Sequence, residues 1–159
     1  MRLEKKALRL EMTKRRAAAH EQVDPATALA ALQDTLASTT GPVSFYWPIR
    51  TEIDPRPVMR ALAGERSVCL PVTDGLGPLT FRAWQEGAPM QTDGFGVQTP
   101  DASAADVIPQ VLVVPMLAFD LMCHRLGYGA GHYDKTIEAL KSKSKITTIG
   151  LAYGAQKLD

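Results

Sequence analysis

Polar and apolar positions over residues 3–20 recur at helical spacing and predict a basic amphipathic helix. Asp24-Pro25 opens a second helix, with aspartate at the cap and proline at the first helical position, running through Ala28, Leu29, Leu32 and Leu36. Gly41-Pro42 breaks that pattern, and Val43 to Trp47 reads as a short strand. Asp54-Pro55 repeats the cap-plus-proline signal and starts a helix that turns Val58, Met59 and Leu62 inward. Strands follow at Ser67 to Leu70 and Leu79 to Trp84, then a turn-rich connection through Gly94, Gly96 and Pro100. Val111 to Val114 is apolar without alternation, as in a central parallel strand covered on both faces. A helix from about Tyr133 to Ser142 and a strand from Ile146 to Tyr153 complete the pattern. Helices alternating with strands predict a single-domain, layered α/β/α fold around a mostly parallel central sheet.

At 159 residues the chain suits one domain, 1–159, with enough length for a proper core. Its 45% apolar and 22% charged residues are ordinary for a globular protein. A net charge of +1 argues against a general nucleic-acid binder, although the charge is unevenly spread. Arg2, Lys5, Lys6, Arg9, Lys14, Arg15 and Arg16 crowd the first sixteen residues against only Glu4 and Glu11. Cys69 and Cys123 are too far apart for metal-ligand spacing and form no disulfide framework. The charged amino terminus lacks the apolar core of a secretory signal. The longest apolar stretch, 107–119, is interrupted by Pro109, Gln110 and Pro115 and too short to span a bilayer. The expectation is a cytoplasmic monomer with neither nucleic-acid nor membrane partner.

The segment with the most chemistry is Arg125-Leu126-Gly127-Tyr128-Gly129-Ala130-Gly131-His132-Tyr133-Asp134, which lies between the apolar strand and the next helix. Glycines let a backbone approach an anion without a Cβ in the way, and a following helix points its free N–H groups at the anion. Arg125 can clamp phosphate, and Asp134 offers oxygen to a magnesium ion carried on phosphates. The spacing fits neither the Walker loop nor the dinucleotide fingerprint, so a tight connection is the competing reading. Lys5 and Arg9 share a helix face, which Arg2 and Arg16 extend, and two cations on one rigid element can grip outer phosphates. A solvated basic face is the plainer alternative.

Tyr46 to Glu52 leaves the end of a strand, where ligands of open α/β sheets gather. Tyr46 and Trp47 offer flat surfaces for a conjugated ring, and Glu52 can accept paired N–H donors from a heterocycle. Core packing competes for the aromatics, as it does for Phe81 and Trp84. Asp120 suits a loop cap or an indirect metal contact, whereas His20 and His124 read as surface. No Ser/His/Asp or Cys/His arrangement for nucleophilic catalysis is identifiable.

Taken together, the chain resembles the 5-formyltetrahydrofolate cyclo-ligase family, also called methenyltetrahydrofolate synthetases. The resemblance rests on Lys5-x-x-Leu8-Arg9, Tyr46 to Glu52, Leu70-Pro71, and Gly94-Phe95-Gly96-Val97 with Pro100. It continues with Val113-Val114-Pro115, Ala118-Phe119-Asp120, the segment from Arg125 to Asp134, and Ile149-Gly150-Leu151-Ala152-Tyr153 with Gln156. The family implies ATP- and Mg²⁺-dependent closure of 5-formyltetrahydrofolate to 5,10-methenyltetrahydrofolate, with release of ADP and phosphate. It implies that Lys5, Arg9, Arg125, Leu126, Gly127, Tyr128, Gly129, Ala130, Gly131, His132 and Tyr133 contact ATP. Trp47, Glu52, Tyr128, Gly129, Ala130, Gly131 and His132 would meet the folate, Asp134 the metal, with Arg125 and Tyr133 as catalytic groups.

Some positions depart from the family pattern. Cys123 stands at a usual glycine, His132 at a usual tyrosine, Thr99 at a usual glutamate, and Lys135 at a common arginine. The family pattern continues past the Gln156 region to a further metal carboxylate, so the resemblance implies a C-terminal segment not contained in this sequence. A relative that binds folate or nucleotide without turnover is therefore the alternative function. An RNA-binding arm at the first helix is a third reading, disfavoured because no further basic cluster joins exposed aromatics.

Overall fold

A computed structural model describes residues 2–73 and 75–159, apart from the side chains of Arg2 and Leu3. In chain order the elements are α1 (Arg2–Gln22), α2 (Ala26–Ala37), β1 (Val43–Ser44), α3 (Arg56–Ala63), β2 (Val68–Val72) and β3 (Thr80–Ala83). There follow β4 (Met90–Thr92), β5 (Gln98–Pro100), β6 (Val111–Val114), β7 (Ala118–Phe119), β8 (Arg125–Leu126), α4 (His132–Lys141) and β9 (Thr147–Gly150). A 3₁₀ turn, Gly154–Gln156, comes after β9.

The central sheet has the order β3–β2–β1–β6–β9. Val43 stands between Val68 and Val111, and Val111 pairs onward with Thr147, all in parallel register. Only β3 runs antiparallel, with Cys69 opposite Ala83. β6 is central and its four residues are buried. Strand alternation sends Val111 and Val113 to one cluster, with Leu36, Phe45, Val58 and Met59. Leu112 and Val114 go to the other, with Cys69, Phe81 and Ile137. Helices α2 and α3 thus cover one face and α4 the other, as the unbroken apolar run requires. Each of these side chains stabilises the fold by about 1.5–3 kcal/mol through burial. Met12 of α1 packs separately, on Leu117 and Ala118. Phe81 and Trp84 are core residues.

Both Asp-Pro signals start helices. Asp24 Oδ1 accepts from the Ala26 N–H and Asp54 Oδ1 from the Arg56 N–H, each at 2.9 Å. The prolines sit at the cap itself, one residue earlier than the sequence pattern places them. The strand expected over Val43 to Trp47 ends at Ser44, because pairing on both sides stops there and Phe45 adds only a single bond to Cys69 O. The last strand ends at Gly150 rather than Tyr153, where the chain turns into the 3₁₀ segment. β2 continues two residues beyond Leu70.

Two hairpins escape the sequence pattern. β4 and β5 flank a turn whose Asp93 carboxylate accepts from the Phe95 and Val97 N–H groups. β7 and β8 flank a turn held by Asp120, which accepts from Met122 N, His124 N and, at 3.0 Å, the His124 ring. Strands of two or three residues are too short for alternation to register. Asp120 is therefore a loop cap. His124 is exposed, as expected, but it has this partner, and exposed His20 likewise meets Tyr153 Oη at 3.2 Å.

Arg66 ties α2 to the sheet. Its guanidinium donates twice to Gly41 O, and to Leu36 O and Thr39 Oγ1, at the carboxyl end of α2. A cation there satisfies carbonyls the helix leaves open. Gly41 takes φ +88°, and a Cβ on it would run into the Gln110 side chain. No helix among the described residues is long and apolar enough to cross a membrane. Arg66→Ala should cost about 2 kcal/mol by removing charge-assisted bonds to three acceptors; urea denaturation that leaves the midpoint unmoved would refute this role.

Candidate functional site

β1 and β6 are parallel neighbours, so the segments leaving their carboxyl ends emerge on the same edge of the sheet. The first is the 46–52 loop. The second passes through β7 and β8 to the glycine turn 127–131 and then into α4. Between them lies a cleft of about 570 Å³. Lys5 and Arg9 of α1, Trp47, Glu52 and the whole segment from Arg125 to Asp134 line it. Phe95 and Val97, from the β4–β5 turn, complete the wall.

Arg9 crosses 118 residues of sequence to reach this turn. Its Nε donates to Gly127 O at 3.0 Å. At Gly129, with φ +110°, an added Cβ would lie 3.6 Å from the Arg9 guanidinium carbon. The left-handed backbone, more than the space, makes glycine necessary there. Gly131 (φ +73°) turns the chain into α4, whose first residues, His132, Tyr133 and Asp134, line the cleft. Arg125 Nη2 donates to Asp134 Oδ1 across the base of the turn, and Asp134 is largely exposed. His132 Nε2 lies 3.1 Å from Gly75 O, with its ring edge-on to Phe95. Lys135 donates to Leu76 O at 2.7 Å, anchoring the β2–β3 connection to α4.

On the facing wall Glu52 is almost fully buried. Its Oε1 accepts from Ile49 N at 2.8 Å and its Oε2 from Tyr128 Oη at 3.0 Å. Burial pushes its carboxyl above the usual range, opposed by those two hydrogen bonds and by the charges of Arg16 and Arg50. Burial and nearby Glu52 push the Tyr128 phenol up to about 12, and raise that of Tyr133 further. Both tyrosines are therefore neutral donors. Trp47 lies beneath the Arg56 guanidinium, 4.9 Å from ring centroid to Cζ. Tyr46 touches the cleft but is a core residue, its hydroxyl donating to Ile53 O at 2.6 Å. It offers no flat face to a ligand.

Arg16 departs most from the sequence expectation. It does not extend the phosphate-facing stripe. It is 1% exposed, with Nε on Thr51 Oγ1 at 3.0 Å and Nη1 reaching Tyr128 Oη at 2.6 Å and Met116 O at 3.3 Å. The side chain of Arg2, the other proposed member of that stripe, lies outside the described residues. Arg50, with φ +53°, sets its guanidinium 5.8 Å from the Tyr128 ring centre. The sequence pattern carried no sign that either arginine reaches Tyr128, since the contacts arise only when distant segments meet.

Other departures have physical consequences. Cys123 adopts φ +63°, a left-handed conformation that suits glycine and strains any other side chain. Thr99 is buried within β5, away from the cleft. Both cysteines are free, and burial pushes the Cys69 thiol up to about 12, which leaves it unreactive. Among the described residues, no three His, Cys, Asp or Glu side chains converge as a metal cluster.

Comparison with known proteins identifies the family. The family model described as "5-formyltetrahydrofolate cyclo-ligase family" matches residues 2–159. A 5-formyltetrahydrofolate cyclo-ligase of Haemophilus influenzae is 32% identical over 127 residues, 74% of this chain and 66% of that protein. The matched region thus spans just under two thirds of that relative. The solved structure of the Aquifex aeolicus 5,10-methenyltetrahydrofolate synthetase superposes with a TM-score of 0.70 at 25% identity, covering 94% of this chain and 80% of the other. A Mycoplasma pneumoniae 5,10-methenyltetrahydrofolate synthetase shares the fold at TM-score 0.75 and 19% identity, over 98% of this chain and 88% of its own. Fold, cleft and family model lead to one conclusion: this chain is a member of the 5-formyltetrahydrofolate cyclo-ligase family.

Proposed function

We propose that the protein is an ATP- and Mg²⁺-dependent 5-formyltetrahydrofolate cyclo-ligase, forming 5,10-methenyltetrahydrofolate, ADP and phosphate. The observation that carries this reading is the meeting of two unlike walls in one cleft. One is cationic and glycine-lined, from Lys5, Arg9, Arg125 and residues 127–131. The other holds the buried carboxylate of Glu52 beside Trp47. A triphosphate matches the first wall and a pteridine, with its row of N–H donors, the second.

The chemistry follows from the substrate. A formyl oxygen leaves poorly, so it takes the γ-phosphoryl group of ATP, and the bond from γ-phosphorus to the bridging oxygen of ADP breaks. N10 then attacks the formyl carbon, closes the ring and loses its proton, and phosphate departs with the oxygen. Such transfers depend mainly on positioning and charge neutralisation. Lys5 and Arg9 hold the outer phosphates, Arg125 neutralises charge on the moving group, and the N–H groups from Gly129 to Tyr133 cradle it. Tyr133, kept protonated, donates to a phosphate oxygen. Glu52 orients the pteridine through oxygens that still have free lone pairs after accepting from Ile49 and Tyr128.

Magnesium fits the donors present. It keeps most of its waters and binds through one or two carboxylates plus substrate phosphates. Asp134, exposed at the base of the turn, would hold it, exchanging its bond with Arg125 for the metal. The ion would supply charge neutralisation on the phosphates.

Near-ultraviolet absorbance of the methenyl product, followed with and without ATP, tests the activity. ATP-dependent product is expected, whereas folate or nucleotide binding without product would identify a non-catalytic binder instead. Arg125→Ala should raise the ATP concentration for half-maximal rate by about tenfold or more, the loss expected for a charged hydrogen bond. An unchanged ATP dependence would remove Arg125 from the site.

Glu52→Gln should weaken folate binding more than ATP binding, and equal effects would refute its assignment. The same variant has a stability signature. Burial raises the Glu52 carboxyl, so the folded protein binds that proton more tightly than the unfolded chain does. That contribution is complete below the unfolded pKa and lost as pH rises through the folded one. Over the pH window above the ordinary range of an unfolded glutamate, the wild type should therefore lose thermal stability relative to Glu52→Gln as pH rises. A relative gain over that window would contradict the burial penalty.

A further inference from the structure

Arg16 is a buried cation with no part in the reaction just described. Its guanidinium joins three segments far apart in sequence: α1, the 46–52 loop through Thr51 Oγ1, and the glycine turn through Tyr128 Oη. Nη1 also reaches Met116 O, while Nη2 is buried with no hydrogen-bond partner among the described residues. An arginine enclosed this completely, with one nitrogen unsatisfied, costs free energy. A wholly structural role would be served as well by an apolar side chain of similar length.

The geometry around Tyr128 shows what the charge does. Its hydroxyl has one proton and two lone pairs. Arg16 Nη1 donates to the oxygen at 2.6 Å, so the proton is directed to Glu52 Oε2, 3.0 Å away. The guanidinium carbon also sits 5.5 Å from the Tyr128 ring centre, fixing the ring as well as the hydroxyl. Arg16, Tyr128 and Glu52 form a chain of hydrogen bonds running from a guanidinium to a carboxyl group, and each bond strengthens the next.

We infer that Arg16 is a positioning residue for the folate end of the cleft, holding Tyr128 in place so that Glu52 presents an oriented carboxyl group to the pteridine. The inference rests on the cyclo-ligase reading for the identity of the ligand, but not for the state of Glu52. The charged and titratable groups around that carboxyl are Arg16 from α1, Arg50 from its own loop, Tyr128 from the glycine turn, Tyr133 from α4, and Tyr46 after β1. Arg50 sets its guanidinium 5.8 Å from the Tyr128 ring centre and makes no side-chain hydrogen bond among the described residues, so it does not replace Arg16.

The test uses Arg16→Met, which keeps the stem and removes the charge, Arg16→Lys, which keeps the charge, and Tyr128→Phe. In the ligand-free protein, the ¹³C carboxyl signal of Glu52 should titrate at higher pH in Arg16→Met than in wild type, with Arg16→Lys between them. In equilibrium binding, Arg16→Met should weaken 5-formyltetrahydrofolate about tenfold or more, the range for a charged hydrogen bond, and ATP much less. The folate deficit should grow as pH falls, because the carboxyl protonates earlier. Arg16→Met combined with Tyr128→Phe should bind folate no more weakly than Arg16→Met alone, since both act through one chain of bonds.

An unmoved Glu52 titration, or equal loss of both ligands, would overturn the inference and leave Arg16 a structural anchor. If Arg16→Met does not fold, Tyr128→Phe, which breaks the same chain, decides between the same outcomes: a Glu52 titration moved to higher pH with a selective loss of folate affinity supports the inference, and wild-type values for both refute it. A wild-type protein that binds no 5-formyltetrahydrofolate would defeat the cyclo-ligase reading, while the ligand-free titration would still decide the role of Arg16.

Discussion

Two parallel strands, β1 and β6, lie side by side in the middle of the sheet, and the cleft depends on that adjacency. Parallel neighbours deliver both following loops to one edge, so residues 46–52 and 127–131 face each other. The pairing is secured from both sides: Val111 and Val113 pack under α2 and α3, Leu112 and Val114 under α4. Burial holds the strands, and the strands hold the loops. The chemistry therefore stands on rigid elements even though its side chains belong to turns.

The amino-terminal helix is the third support. It reaches the cleft with Lys5 and Arg9, whose guanidinium rests on the glycine turn. Two turns further on, Arg16 passes beneath the same turn to Tyr128. One helix thus provides an exposed lysine, a half-buried Arg9 on the turn and a fully buried Arg16. Their positions differ because Arg16 points toward Thr51 and Met116, where the sheet and the 46–52 loop enclose it. Residues of one charge and one helix stripe end in opposite environments.

Electrostatics divides the cleft into two halves. One half is the glycine turn with the cations of Lys5, Arg9 and Arg125. In the other half Glu52 is buried, which raises the cost of its charge and strengthens every bond it makes. Tyr128 sits at the join, bonded to Glu52 and Arg16, with the Arg16 and Arg50 guanidinium groups both near its ring.

The apolar run Val111 to Val114, the two Asp-Pro caps and the decapeptide from Arg125 to Asp134 could be read directly, because each is a local rule about burial, capping or glycine conformation. Central position in the sheet followed from the missing alternation in β6, and the layered architecture from the order of elements. Hairpins of two or three residues left no period to read, and the end of β1 was set by its partners, not by its own residues. Lys5 and Arg9 were visible as a pair on one face, but the meeting of Arg9 with Gly127 and Gly129 required packing between distant segments. The same limit hid Arg16. A charged residue on a basic helix looks like solvent-facing charge until the fold encloses it, since burial and hydrogen-bond partners are properties of the assembled surfaces around a side chain.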